Sequence, residues 1–501
     1  MTGTTTLVLI VAILVPVLLW PAVATIGVAL RGGSEPGAGL LSPAPIGLDS
    51  GEIRRPLALF AESTRLVLAT EAIVLPLGVL VGFLVFRTDA VLGRLCLLVI
   101  ALAAFVPLPL HATAWLGAFG NVGRAQALGL GMIPILVGWP GAAFVHAMAA
   151  FPWVVLMTGV GLLGVEPELE DAARLELPAS RVVLQVTLRR ALAAIAGAAL
   201  AVALLTAGDM TVTDLLQVRT YAEEAYLQYN LGRGPLAAAS VTLPPLLVLG
   251  GLVAIGARLI LSREPPRGLS AATRPRTWKL GAWRWPVGLG LTGFVALLVG
   301  LPLVSLVWRA GRVGGNAALG RPPAWSFTGL RATLQFAWDD SSEALGQSLL
   351  WSAVAACVAV ILAWCLAWAS RNSAFWRVVT AGAVALALAT PGPVVGFALV
   401  YAYRDIPRVY DSTLMIVVAL VARMFPYALL VVWPAVRGVP VELIEAARID
   451  GHGPSGVIWR VMIPLTRAAL LAAWCVAFTL ALGELPATNL VTPPGTTPSR
   501  S

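Results

Sequence analysis

The residues with the most telling types and spacing form the run Glu445-Ala446-Ala447-Arg448-Ile449-Asp450-Gly451. After nine further residues comes Val461-Met462-Ile463-Pro464. The chemistry of this pattern is contact, not catalysis. Adjacent alanines on a short helix let another protein pack closely. Gly451 permits a turn that a side chain hinders. Pro464 suits the first turn of a following helix, where a missing backbone donor does little harm. A weaker copy lies earlier, at Asp171-Ala172-Ala173-Arg174-Leu175-Glu176-Leu177, with Glu168 just ahead of it. There Leu177 replaces the glycine, the distal Val186-Thr187-Leu188-Arg189 stands one residue closer, and Arg189 replaces the proline. The helical part survives, so a different turn is expected after the first copy.

Other candidates for chemistry are sparse. Asp209 and Glu484 end two matched apolar runs. Acids there line a solute path, meet a partner protein, or sit solvated at a helix end. Glu62 and Arg65 read as an ion pair, as path lining, or as structural residues. His111, His146 and His452 have no metal-ligand spacing, so no metal or cofactor is expected. Cys96, Cys357, Cys365 and Cys475 all fall in apolar runs and read as small hydrophobes. No P-loop, GxGxxG or triad spacing occurs. The chain is therefore expected to be no enzyme and to draw its energy from elsewhere.

The elements that hold these residues are apolar helices. Of 501 residues, 58% are hydrophobic and 12% charged, with mean hydropathy +0.87. A soluble chain cannot cover so much apolar surface, whereas lipid solvates it and helices of about 20 residues cross it. The expected fold is all-α and polytopic. Apolar runs lie at 7–30, 58–86, 93–118, 129–163, 190–207, 235–261, 285–308, 345–370, 378–401, 413–436 and 466–483, giving about eleven spans. The run at 7–30 is too long for a typical signal peptide and reads as a first span. The net charge of +9 does not point to nucleic acid. Its arginines cluster in alternate gaps, which puts those gaps and the N-terminus in the cytoplasm.

The two halves of the chain repeat. Phe151-Pro152 matches Phe425-Pro426, and Glu168-Leu169 matches Glu442-Leu443. Pro107-Leu108-Pro109 matches Pro391-Gly392-Pro393, Arg87 matches Arg371, and Gly208-Asp209 matches Gly483-Glu484. The expected halves are 1–262 and 285–501, joined by a basic, proline-bearing cytoplasmic linker at 263–284. They run parallel about a pseudo-twofold axis along the membrane normal. The paired prolines are expected to bend the third span of each half.

The run from Glu445 to Pro464 resembles the Glu-Ala-Ala loop of binding-protein-dependent ABC importer permeases. That pattern is Glu-Ala-Ala, three residues, Gly, nine residues, then Ile-x-Leu-Pro. Here Val replaces Ile and Ile replaces Leu. The resemblance implies a fused two-half permease subunit in a bacterial inner membrane. It implies that Glu445, Ala446, Ala447, Arg448, Asp450, Gly451 and Pro464, with Glu168, Asp171, Ala172, Ala173 and Arg174, form two cytoplasmic coupling loops. The implied partners are an ATP-binding subunit, present as a homodimer, and a periplasmic solute-binding protein. The stretch Gly483–Thr496 is similar to the ferric-iron type of such permeases, which implies ferric iron as the solute. Thiamine, a phosphonate or a polyamine are the alternatives within this class. Set against the first half, the second is expected to lack its last span. A secondary transporter with parallel repeats is the competing reading. It requires ionisable groups inside the spans, and the apolar runs read as nearly free of them.

Overall fold

The computed structural model describes residues 50–120, 136–230, 276–313, 324–371 and 373–492, with residues 248, 250, 251 and 255. The expected spans at 7–30 and 235–261, most of the linker and the tail after 492 lie outside the described residues.

The chain is an all-α polytopic membrane protein. In the first half α1 (Ser50–Arg87), α2 (Gly93–Ala103), α3 (Leu108–Phe119) and α4 (Gly138–Leu163) are followed by the short α5 (Pro167–Arg174). Then come α6 (Ala179–Gly208), α7 (Thr211–Leu215) and α8 (Tyr221–Asn230). The second half repeats most of that order: α9 (Arg284–Ala310), α10 (Phe327–Ser370), α11 (Ala374–Ala389), α12 (Gly392–Tyr403), α13 (Leu414–Gly438), the short α14 (Val441–Ile449), α15 (Pro454–Leu482) and α16 (Thr488–Val491). A two-residue antiparallel pairing, Arg312–Val313 with Ala324–Trp325, joins α9 to α10.

Among the described residues, seven helices are long and apolar enough to cross a membrane. Leu68, Leu80, Leu297 and Leu471 stand exposed on such helices, where lipid is their solvent. Buried faces instead use small residues. No room exists for a Cβ on Gly78 against Val154 or on Gly159 against Phe86, so α1 and α4 approach closely, as membrane helices do.

Two expectations need correction. The run 93–118 divides into two helices, α2 and α3, meeting at 109°, a sharper break than the expected bend. Pro107 has an extended backbone (ψ 146°) and caps α3, because proline is favoured at a helix start but cannot continue the preceding hydrogen-bond ladder. The run 378–401 likewise divides into α11 and α12 at Pro391 (ψ 154°). Arg65 does not pair with Glu62; its guanidinium lies 4.6 Å from the ring centre of Trp139.

The course of the chain fixes which ends lie together. α9 starts beside the end of α1, where Val91 N–H donates to Arg284 O at 3.3 Å. It then packs along α2 and α3 of the first half. At its far end Arg309 and Arg312 share a pocket with Gly138 and Leu216. α10 returns to the starting side, where Arg371 donates to Val436 O and Val439 O. The second half thus begins by crossing and returning, and α5 and α14 lie at the same end of the bundle.

Candidate functional site

Two features occur in both halves: a short helix at one end and an acidic residue at a shared cavity.

The first short helix, α5, carries Glu168, Asp171, Ala172, Ala173 and Arg174; α14 carries Glu445, Ala446, Ala447 and Arg448. Each starts after a proline-favouring extended residue and places acids in its first turn and arginine in its last, matching the helix dipole. Each packs one face inward, through Glu170 on α5 and through Ile444 and Ala447 on α14. Each also leaves a matched apolar pair in the open. Leu169 and Leu443 are 41% and 45% exposed, and Leu175 and Ile449 are 88% and 85% exposed. Exposed apolar residues repeated at the same places on two helices at one end of a bundle suit a protein partner.

The turns after the two helices differ. Gly451 has φ +81° just past the cap residue Asp450, a conformation that favours glycine. In the first copy Leu177 N–H donates to Ala173 O at 2.8 Å, and no residue from 175 to 179 takes a positive φ. Both connections then enter a single π-helical turn, Val183–Thr187 and Ile458–Met462. Pro464 lies in the first turn of the α-helical part that follows. The matched π turns had no signal in the apolar pattern, because one extra residue per turn leaves composition unchanged.

Behind α5 lies a buried polar cluster that motif reading missed. Arg87, fully buried, donates from Nη2 to Glu170 Oε2 at 2.6 Å and from Nη1 to Leu162 O at 2.6 Å. Thr187 donates its hydroxyl to Glu170 Oε1. In the second half Arg371 bonds the carbonyl of Val436, as Arg87 bonds that of Leu162. Both carbonyls belong to the last turn of a long helix, where backbone acceptors lack partners. Ile444 and Met462, both buried, stand where the first half has Glu170 and Thr187.

At the other end of α6 and α15 the two halves enclose one cavity of about 120 Å³, with room for a few waters or a very small solute. Equivalent positions line it from both sides: Ala149, Ala150 and Trp153 of α4 with Arg423, Met424 and Tyr427 of α13. Asp209 and Glu484 meet there too. Neither carboxylate is free. Asp209 accepts backbone N–H bonds from Thr211 at 3.0 Å and Val212 at 2.8 Å, and its Oδ2 lies 3.5 Å from His146 Nε2. Glu484 accepts from Ala487 N–H at 3.1 Å and from Arg423 Nε at 3.3 Å. Arg423 also donates to Thr390 O at 2.9 Å. Each acid thus caps a short following helix; Glu484 is paired with Arg423 of the span beside it, and His146 lies 3.5 Å from Asp209.

His146 and Arg423 correct the reading of the spans as nearly free of ionisable groups. The signal was present in the sequence: Arg423 stands alone inside the run 413–436, and an ionisable residue inside a span marks a functional candidate. Outside the spans, Glu223 on α8 has its carboxyl pushed above the usual range, first by burial and next by Asp214. Cys96 and Cys365 are buried, Cys357 is exposed on its helix, and all four cysteines are free.

Residues 349–500 match the family described as binding-protein-dependent transport system inner membrane component. That stretch starts within α10 and includes α14, Gly451 and Glu484. The chain is 42% identical over 45 residues to the osmoprotective compounds uptake permease protein GgtC of Synechocystis sp., covering 9% of this chain and 16% of that protein. It is 28% identical over 69 residues to the spermidine/putrescine transport system permease protein PotC of Escherichia coli, covering 14% of this chain and 26% of that protein. The chain thus matches at most about a quarter of the length of these relatives. No solved structure matches it.

Proposed function

We propose that this chain is the transmembrane permease of an ATP-driven importer in a bacterial inner membrane, with two halves, 1–262 and 285–501, joined by the linker 263–284. The observation that carries this reading is the pair of short helices at one end of the bundle, each presenting a matched apolar pair, with a cavity between the halves at the opposite end. In this reading α5 and α14 dock on two copies of an ATP-binding subunit. Glu445, Ala446, Ala447, Arg448, Asp450, Gly451 and Pro464 form the second contact, and Glu168, Asp171, Ala172, Ala173 and Arg174 the first. The chain itself hydrolyses no ATP. Closure of the two ATP-binding subunits moves both helices together, and the halves rock about the cavity that Asp209 and Glu484 line. A periplasmic binding protein delivers the solute at that end, and the N-terminus is cytoplasmic.

For the solute, the Arg423–Glu484 ion pair and the His146 ring beside Asp209 favour a small polar organic molecule carrying both donors and acceptors over a bare metal cation. The described residues hold no group of three or more acidic, histidine or cysteine side chains fit for a metal ion. Ferric iron keeps only the support of the stretch Gly483–Thr496. The names of the relatives favour a polyamine or an osmoprotectant.

The test is co-expression with ATP-binding subunits of binding-protein-dependent importers from the same genome, purification in mild detergent, and uptake into proteoliposomes of spermidine, glycine betaine and ferric citrate. The expected result is a complex with two ATP-binding subunits whose uptake requires ATP. Uptake driven by an ion gradient without ATP overturns the proposal in favour of a secondary transporter. The His146–Asp209 contact gives that second reading its one specific support, since a buried histidine–carboxylate pair can carry a proton.

A further inference from the structure

The end of the inter-half linker lies across the first short helix, and among the described residues nothing comparable covers the second. Arg276 forms an ion pair with Asp171. The guanidinium of Arg174 lies 4.2 Å from the ring centre of Trp278, which is buried at 7% exposure. Backbone bonds hold the same segment to the end of α1. Trp278 N–H donates to Arg87 O at 2.7 Å, and Leu280 N–H donates to Asp89 Oδ1 at 2.7 Å. Arg87 Nε donates to Arg276 O at 3.0 Å. Arg87 therefore holds the linker with one nitrogen and Glu170 of α5 with another. In the second half Arg448, the counterpart of Arg174, is exposed, and so is Glu445, the counterpart of Asp171.

We propose that residues 276–280 are a strap that fixes the orientation of α5, with Arg276 and Trp278 as its positioning residues. The strap stands in for the glycine turn that the first copy lacks. Gly451 lets the chain reverse tightly after α14 and return to its span, whereas after α5 the chain leaves through Leu175–Leu177 with ordinary helical and extended geometry. The orientation of α5 is instead imposed from outside, by a tryptophan face under Arg174 and a cation beside Asp171. The segment that does this leads directly into α9, the first described span of the second half. Movement of α9 against α2 and α3 is thereby transmitted to the first docking helix without passing through α6. The proposal rests on the reading of α5 as a docking element.

The test needs no partner subunit. Single spin labels are placed at Leu175 and at Ile449 in the full chain, with the native cysteines replaced, in lipid nanodiscs. Line shapes are recorded for the parent, Trp278→Ala, Arg276→Ala and Trp278→Phe. A cation–π contact at a partly desolvated site, when lost, shifts the ratio of immobile to mobile label by about tenfold. The expected result is that shift at Leu175 in Trp278→Ala, a smaller one in Arg276→Ala, recovery in Trp278→Phe, and no change at Ile449 in any variant. An unchanged label at Leu175, or equal loosening at both sites, overturns the strap. Such a failure leaves the docking reading standing, because that reading is tested separately by copurification of the ATP-binding subunit.

Discussion

The Glu170 carboxylate is where a single substitution is expected to separate the two halves energetically. In Glu170→Ala the Arg87 guanidinium stays fully buried but loses its 2.6 Å carboxylate partner. Removing one member of a buried ion pair costs about 3–5 kcal/mol, because the remaining charge is left uncompensated. The Thr187 hydroxyl loses its acceptor as well, which places the expected loss toward the upper end. The second half suggests how to avoid that loss. At the equivalent positions it packs Ile444 and Met462, and Arg371 turns to the carbonyls of Val436 and Val439. Glu170→Ile with Thr187→Met copies that arrangement, and Arg87 can swing to the carbonyl of Val165, the counterpart of Val439. The double variant is expected to cost less than about 2 kcal/mol, since well-packed apolar replacements of buried ionic groups are often near neutral. The assay is reversible unfolding by dodecyl sulfate in mixed micelles, followed by tryptophan fluorescence. A loss under about 1 kcal/mol for Glu170→Ala refutes the assignment of a stabilising pair, since stranding a buried charge costs about 3–5 kcal/mol. A double variant as damaged as the single one refutes the equivalence drawn between the halves.

Three further outcomes are expected. Gly451→Glu abolishes uptake with membrane abundance near that of the parent, because it places a charge at a protein contact; Gly451→Ala, whose Cβ meets nothing within 4 Å, costs only about 1 kcal/mol for its positive φ, and paired uptake and immunoblot measurements check both. Leu175→Asp and Ile449→Asp each reduce copurification of the ATP-binding subunit without altering expression, as a pull-down at constant detergent reads directly. Glu484→Gln keeps an acceptor for the Ala487 N–H but removes the charge opposite the largely buried Arg423, so uptake falls or changes solute preference and thermal stability in detergent drops below the parent's, because the arginine is left without its carboxylate.

The parts of the molecule that lipid dictates were legible from composition. Long apolar runs with arginines at alternate gaps became helices of membrane-spanning length, with buried Arg87 and Arg371 each ending a long helix. The motif at 445–464 was legible as spacing, down to the positive φ of Gly451. The breaks at Pro107 and Pro391 were legible only as bends. A proline marks where the hydrogen-bond ladder fails, but neighbouring helices decide whether the two pieces stay collinear or turn by 109°. Glu170 and the strap were not legible at all. Their partners lie far along the chain, as Arg87 does from Glu170 and Asp171 does from Arg276, and no local period encodes such contacts. Arg423 is legible as the lone charge inside the apolar run 413–436, and the repeat does not flag it because its counterpart in the first half is Ala149.

The differences between the halves follow a single physical pattern. At the positions of Glu170 and Thr187 the second half packs the apolar Ile444 and Met462, and after its short helix it turns at Gly451. Glu170 faces Ile444, Thr187 faces Met462, and the strapped Arg174 faces the exposed Arg448. The polar solution orients its helix through directional bonds that are lost together when one member is removed, whereas the apolar one tolerates substitution but specifies angle less tightly. α5 is tied to the ends of α1 and α9 through Arg87, Arg276 and Trp278, whereas α14 is followed by the turn at Gly451. At the cavity the imbalance reverses, because the second half supplies the charge-bearing pair Arg423–Glu484 and the first supplies a histidine against Asp209. Each half is therefore the more rigidly specified one at one end of the bundle. Chimaeras that exchange α5 with α14 should accordingly lose orientation at the first site and retain it at the second.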